Sequence, residues 1–111
     1  MPALRLSETG EILVPTVRIL GGWFERGIGL LGRRRLPDGQ AWYFPRCSAI
    51  HTFGMRFPLD LLFIDKDGCV LRAESNVGPW RTIIQRGAIG VLEMQSGWLV
   101  LPKAGQHVQV S

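Results

Sequence analysis

The chain has 111 residues, 46% hydrophobic and 20% charged, with thirteen Lys and Arg against nine Asp and Glu for a formal net charge of +4. A chain of this size buries roughly two-thirds of its unfolded surface, enough for one core but not two, so residues 1–111 are expected to form a single domain. The apolar content excludes disorder and two cysteines exclude a disulfide scaffold; the longest uncharged apolar run, Met94 to Pro102, is half of the roughly 18 residues a membrane span needs.

The segment Met1 to Glu8 has no apolar stretch of the signal-peptide kind, and the expected location is cytoplasmic. From Glu11 to Leu20 the chain is β-branched and apolar, interrupted by Pro15. Because proline cannot donate to a ladder, the pattern predicts an edge strand or two short strands that break there. After Gly21-Gly22 the period changes. Trp23, Phe24, Gly27, Ile28, Leu30 and Leu31 repeat at three- and four-residue steps, which predicts a short amphipathic helix over Trp23 to Gly32, held by packing rather than by propensity. Arg33-Arg34-Arg35 precedes a Pro37-Asp38-Gly39 turn and reads as a solvated loop. The other arginines are scattered from Arg5 to Arg86 without a recognised reader motif, so no nucleic acid is expected as a partner.

Ala41 to Phe44 reads as an aromatic strand closed by Pro45, and Ile50 to Phe57 as β-prone chain broken at Gly54. Leu59 to Ile64 is the most apolar strand. It runs into Asp65-Lys66-Asp67-Gly68, a hairpin signal because Asp-Gly tolerates the positive φ of tight turns, and Cys69 to Glu74 returns. Ala88 to Met94 forms a further strand, and Leu99 to Val110 the last, divided by Pro102 to Gly105. Many short strands with one brief helix predict a mainly β domain (β-rich α+β), a sandwich-like or partly closed barrel with the helix packed on it. Leu61, Phe63, Val70, Leu71, Val91 and Leu92 are the expected core, joined by two or three of Trp23, Trp42, Trp80 and Trp98; a patch of exposed tryptophans would instead mark a protein-interaction subunit.

Chemistry is sparser. Cys47, His51, Cys69 and His107 lack the paired close spacings of a zinc site, so neither metal nor cofactor is expected. The Asp65 turn lacks the later oxygen ligands of a calcium loop, since its twelfth position is Asn76. Gly27-x-Gly29-x-x-Gly32 matches a dinucleotide fingerprint by letter, but it lies within the predicted helix rather than after a strand. Cys47, His51 and Asp60 supply the residue types of a nucleophile, base and orienting acid without a nucleophile motif, which leaves a hydrolase-like site around His51 as the alternative to a binding domain.

The segment from His51 to Asp65, His-Thr-Phe-Gly-Met-Arg-Phe-Pro-Leu-Asp-Leu-Leu-Phe-Ile-Asp, followed by Asp67-Gly68 and an apolar return strand, resembles the signature of the DUF 192 family. It is similar to the family's variant carrying His-Thr-Phe-Gly-Met-Arg-Phe in place of Phe-Trp-Met-Lys-Asn-Thr. Arg26-Gly27-x-Gly29-Leu30-Leu31-Gly32-Arg33 resembles the family's Arg-Gly-Leu-Met-Gly-Arg block. Val91-Leu92-Glu93-Met94-Gln95-Ser96-Gly97-Trp98 resembles its Val-Leu-Glu-Leu-Pro-Ala-Gly block. The resemblance implies a compact β-rich domain of unknown function, and it carries over no catalytic residue. Many members carry an export or lipoprotein signal, which Met1 to Glu8 is not expected to supply, and the chain also departs from the family at Leu99 to Pro102, where many relatives have a polar turn.

The expected function is therefore a small non-enzymatic accessory domain that binds a small ligand or a protein. The expected binding surface lies where the His51 to Asp60 segment meets Trp80-Arg81. His51 exchanges protons near neutral pH, Arg56 and Arg81 bind carboxylate or phosphate, Trp80 offers a stacking face, and Thr52 and Asp60 supply hydrogen bonds. The competing expectation for His51 and Asp60 is structural, with Asp60 pairing with Arg56 or capping backbone amides.

Overall fold

In the computed structural model, which describes residues 2–20, 36–52 and 56–111, the chain is built on a mixed five-stranded sheet. Its strands are β3 (Thr16–Ile19), β4 (Gln40–Pro45), β6 (Leu59–Ile64), β7 (Val70–Val77) and β9 (Gly90–Gln95), in the order β3-β4-β9-β6-β7. Only the β3–β4 pair is parallel among these; β4–β9, β9–β6 and β6–β7 are antiparallel. All six residues of β6 are buried, as are five of the six in β9. That is why these two strands read as near-continuous apolar runs: interior strands covered on both faces lose the alternation of a half-wet strand.

One face carries Trp42, Phe44, Leu59, Leu61, Phe63 and Val91, packed with Leu20, Leu36, Phe57 and Ile83. The other carries Ala41, Leu62, Ile64, Leu92 and Met94. It packs against a three-stranded sheet of β1 (Leu4–Leu6), β2 (Ile12–Val14) and β10 (Val108–Val110), ordered β10-β1-β2, which contributes Leu4, Val14 and Val108. A two-stranded ribbon, β5 (Ala49–His51) with β8 (Thr82–Ile84), lies over the first face through Ile50 and Ile83. The architecture is mainly β and sandwich-like. Its sheets keep their edges, which settles the choice between sandwich and barrel for the sandwich.

Pro15 acts as expected: β2 and β3 on either side of it belong to different sheets. The Asp65 to Gly68 turn also forms. The Asp65 side chain accepts the N–H groups of Asp67 (2.8 Å) and Cys69 (2.9 Å), and Gly68 has φ 79°. Of the expected core, Leu61, Phe63, Val70, Val91 and Leu92 are buried, while Leu71 is half-buried. One expectation needs correction. Leu99 to Leu101 is not part of a strand: the strand of this stretch is Val108–Val110, paired with β1, and Val100 is exposed. β1 and β8 have no sequence signal of their own, because three-residue strands carry too little pattern to stand out. The helix expected over Trp23 to Gly32 lies outside the described residues.

Candidate functional site

The ribbon is the element that positions most of the sequence-predicted site. His51 is exposed and stands opposite Thr82 in the β5–β8 register. Since Ile50 and Ile83 face the core, the alternation of a strand turns Ala49, His51, Thr82 and Ile84 outward. Thr52, just past β5, is buried at 1% exposure and organises the segment before β8. Its hydroxyl donates to the Gly78 carbonyl (2.7 Å) and accepts the Arg81 N–H (2.9 Å). Its own N–H donates to the Arg81 carbonyl (2.8 Å), and its carbonyl accepts the Trp80 N–H (3.1 Å).

These bonds hold Trp80 at φ 64° with 71% of its surface exposed. A bulky residue in the left-handed region is a genuine outlier, at about 1–2 kcal/mol of local strain. An exposed indole held there against its own preference is an unusual arrangement, and strained backbone clusters at binding sites. Arg81 follows it, exposed, and Arg56 is also exposed.

Asp60 stands apart. Its neighbours in β6 alternate between the two faces, and its side chain belongs to the face packed on the three-stranded sheet, opposite the ribbon. There one carboxylate oxygen accepts the Asn76 N–H (2.9 Å) and the other the Gly97 N–H (3.2 Å). The first bond supports a break in register in β7, where Leu59 opposes Val77 but Leu61 opposes Glu74, with Asn76 at φ 54°. Buried at 2% exposure and bonded to two amides, Asp60 is a backbone cap. It also forms part of the wall of an open groove of about 620 Å³, bordered by Ser75, Ser96, Leu99, Leu101 and Lys103.

The thiol of Cys47 donates to the Ala49 carbonyl (3.0 Å), a bond within its own segment. Cys69 stands opposite His107 in an isolated antiparallel bridge, whereas Cys47 and His51 belong to the ribbon region, so the four residues divide between two places. No group of three or more His, Cys, Asp or Glu side chains able to hold a metal forms among the described residues.

Glu93 is the titratable group that sequence reasoning passed over. It lies in β9 between Trp42 of β4 and Leu61 of β6, and one of its carboxylate oxygens has no hydrogen-bond partner among the described residues. Burial in this apolar face pushes its pKa up to about 8. The missed residues around the ribbon had a visible signal. Segments 45–57 and 78–92 contain Arg46, His51, Arg56, Arg81 and Arg86 and not one Asp or Glu.

The family profile DUF192, described as an uncharacterized ACR, matches residues 4–110. The chain belongs to the DUF192 family. Two solved structures share the DUF192 fold seen here. A Sinorhizobium meliloti 1021 protein described as a candidate transcription regulator superposes with a TM-score of 0.79 at 23% identity, covering 98% of this chain and 92% of that one. A Novosphingobium aromaticivorans protein of unknown function gives a TM-score of 0.78 at 22% identity, covering 98% and 84%. At these identities the likeness speaks for the fold alone. No curated protein matches the chain. The function of this DUF192 domain is thus uncharacterized by family and by neighbour alike.

Proposed function

We propose that this DUF192 domain is a non-enzymatic binding module whose outward β5–β8 face receives an anionic partner. The observation that carries this is the indole of Trp80, presented to solvent in a left-handed backbone pinned by buried Thr52. The two segments forming the ribbon and its flanks supply Arg46, His51, Arg56, Arg81 and Arg86 without a single acid. Of the acids that follow these segments or lie between them, Asp60 and Glu93 are buried, Glu74 is paired with Arg72 at 2.7 Å, and Asp65 and Asp67 lie in the β6–β7 turn, where Asp65 accepts two backbone N–H groups. A surface rich in cations attracts anions, and guanidinium groups bind carboxylate or phosphate bidentately. In this reading His51, Arg56, Trp80 and Arg81 contact the partner, and Thr52 and Asp60 keep the scaffold rigid.

The transcription description of the S. meliloti protein makes nucleic acid one polyanion to include in testing. Retention on immobilised heparin tests the face itself. The double variant Arg81→Glu/Arg86→Glu should elute at clearly lower salt than Lys66→Glu/Lys103→Glu, which changes net charge equally at exposed sites elsewhere. Equal elution of the two variants would reduce the effect to overall charge and end this reading.

A further inference from the structure

We propose that the anionic partner is the surface of a lipid bilayer, on which the β5–β8 face seats the domain as a peripheral protein. This rests on the anion-binding reading above and names its partner class. Trp80, Ile84 and Ile89 are 71%, 66% and 44% exposed, and each has an arginine beside it. Arg81 follows Trp80, and Arg86 lies two residues past Ile84. Arg46 is brought to Ile89 because the next residue, Cys47, donates its N–H to the Ile89 carbonyl (3.2 Å). Apolar projections paired with cations are what an anionic membrane interface accommodates. The apolar groups enter the boundary between headgroups and acyl chains, the indole prefers that boundary, and the guanidinium groups meet the phosphates.

The composition of the face favours lipid over nucleic acid. Single-stranded nucleic acid is held by several stacking aromatics. Among the described residues Trp80 is the aromatic that is largely exposed, and its apolar companions are isoleucines, which have no π face to offer a base. The backbone is also fixed before contact. The ribbon is paired over Ala49–Ile84, Ile50–Ile83 and His51–Thr82, and the residues flanking it, Arg46 and Trp80, are both held at positive φ (53° and 64°). A rigid face loses little entropy on docking to a flat surface.

The full chain should co-sediment with phosphatidylcholine vesicles containing phosphatidylglycerol and not with phosphatidylcholine alone. The binding should fade as salt is raised and should shift tryptophan emission to the blue. Neutralising an arginine of the face should weaken partitioning about fivefold, the factor that follows from the contribution of one basic residue near an anionic surface. Trp80→Gly suits the left-handed backbone and keeps the fold, and it should lose most of the emission shift. Ile84→Ser should weaken binding as well. Absence of binding to phosphatidylglycerol vesicles at low salt, or binding indifferent to these substitutions, overturns the proposal. If oligothymidylate binds through the same arginines while the vesicles do not, lipid is replaced by nucleic acid and the anion-binding face stands. If heparin retention does not depend on the face, both readings fall together.

Discussion

Glu93 shows how much one side chain can impose. In an unfolded chain its carboxyl titrates near its ordinary 4.5, and in the folded protein near 8, because the charged form is desolvated between Trp42 and Leu61. A raised acid pKa means that the folded state holds the proton longer. Below the lower value both states are protonated and nothing is lost; from there upward stability declines, and the full penalty is reached above the higher value. At 1.36 kcal/mol per unit, the penalty is on the order of 3–5 kcal/mol, a large share of the margin of a small domain. The melting temperature should therefore fall between mildly acidic and alkaline pH. Glu93→Gln, which keeps shape and removes ionisation, should flatten that profile, and a calorimetric series in pH checks both. Trp80 is the opposite case, an exposed residue whose strain is local. Trp80→Gly should leave the melting temperature unchanged or raise it slightly, measured by circular dichroism.

At the scale of elements, short contacts decide where strands end. A Cβ on Gly68 would run into the carbonyl of Val108, and the backbone there is at φ 79°. Gly68→Ala should thus destabilise by roughly 2–4 kcal/mol in urea unfolding, through overpacking plus left-handed strain, by forcing β10 away from the β6–β7 turn. Asp60→Ala should cost about 2–4 kcal/mol, because the N–H groups of Asn76 and Gly97 lose a charged acceptor. The same scale explains what could be read in advance. β6 and its hairpin were legible because a continuous apolar run ends in Asp-Gly, and both signals are local. Leu99 to Leu101 looks equally strand-like, but a strand exists only where a partner offers its edge, and pairing is not written locally. The site was half legible. His51, Arg56, Trp80 and Arg81 stood out by chemistry, while the separation of Asp60 from them follows from which face of β6 it occupies, a matter of sheet register. The left-handed turn at Trp80 has no sequence signal, since it is imposed by Thr52 from another strand's end.

For the whole molecule, Cys47 and Cys69 are free thiols, and the core stands on apolar side chains from both faces of the central sheet. Chelator and reductant should leave the melting temperature within ~5 °C of its untreated value, the shift that about 1 kcal/mol produces at this size. The three-stranded sheet has a further consequence. Its central strand, β1, is flanked by β10, and Ala3 and Ser111 exchange backbone hydrogen bonds of 3.0 and 2.9 Å at the same end of that pair. Hydrogen bonds in such a pair run perpendicular to the strands. A load applied between residues 3 and 111 would therefore peel the bonds apart one after another, as a zipper opens, instead of shearing them all at once. Stretched by those two points, the molecule should be mechanically weak whatever its resistance to heat.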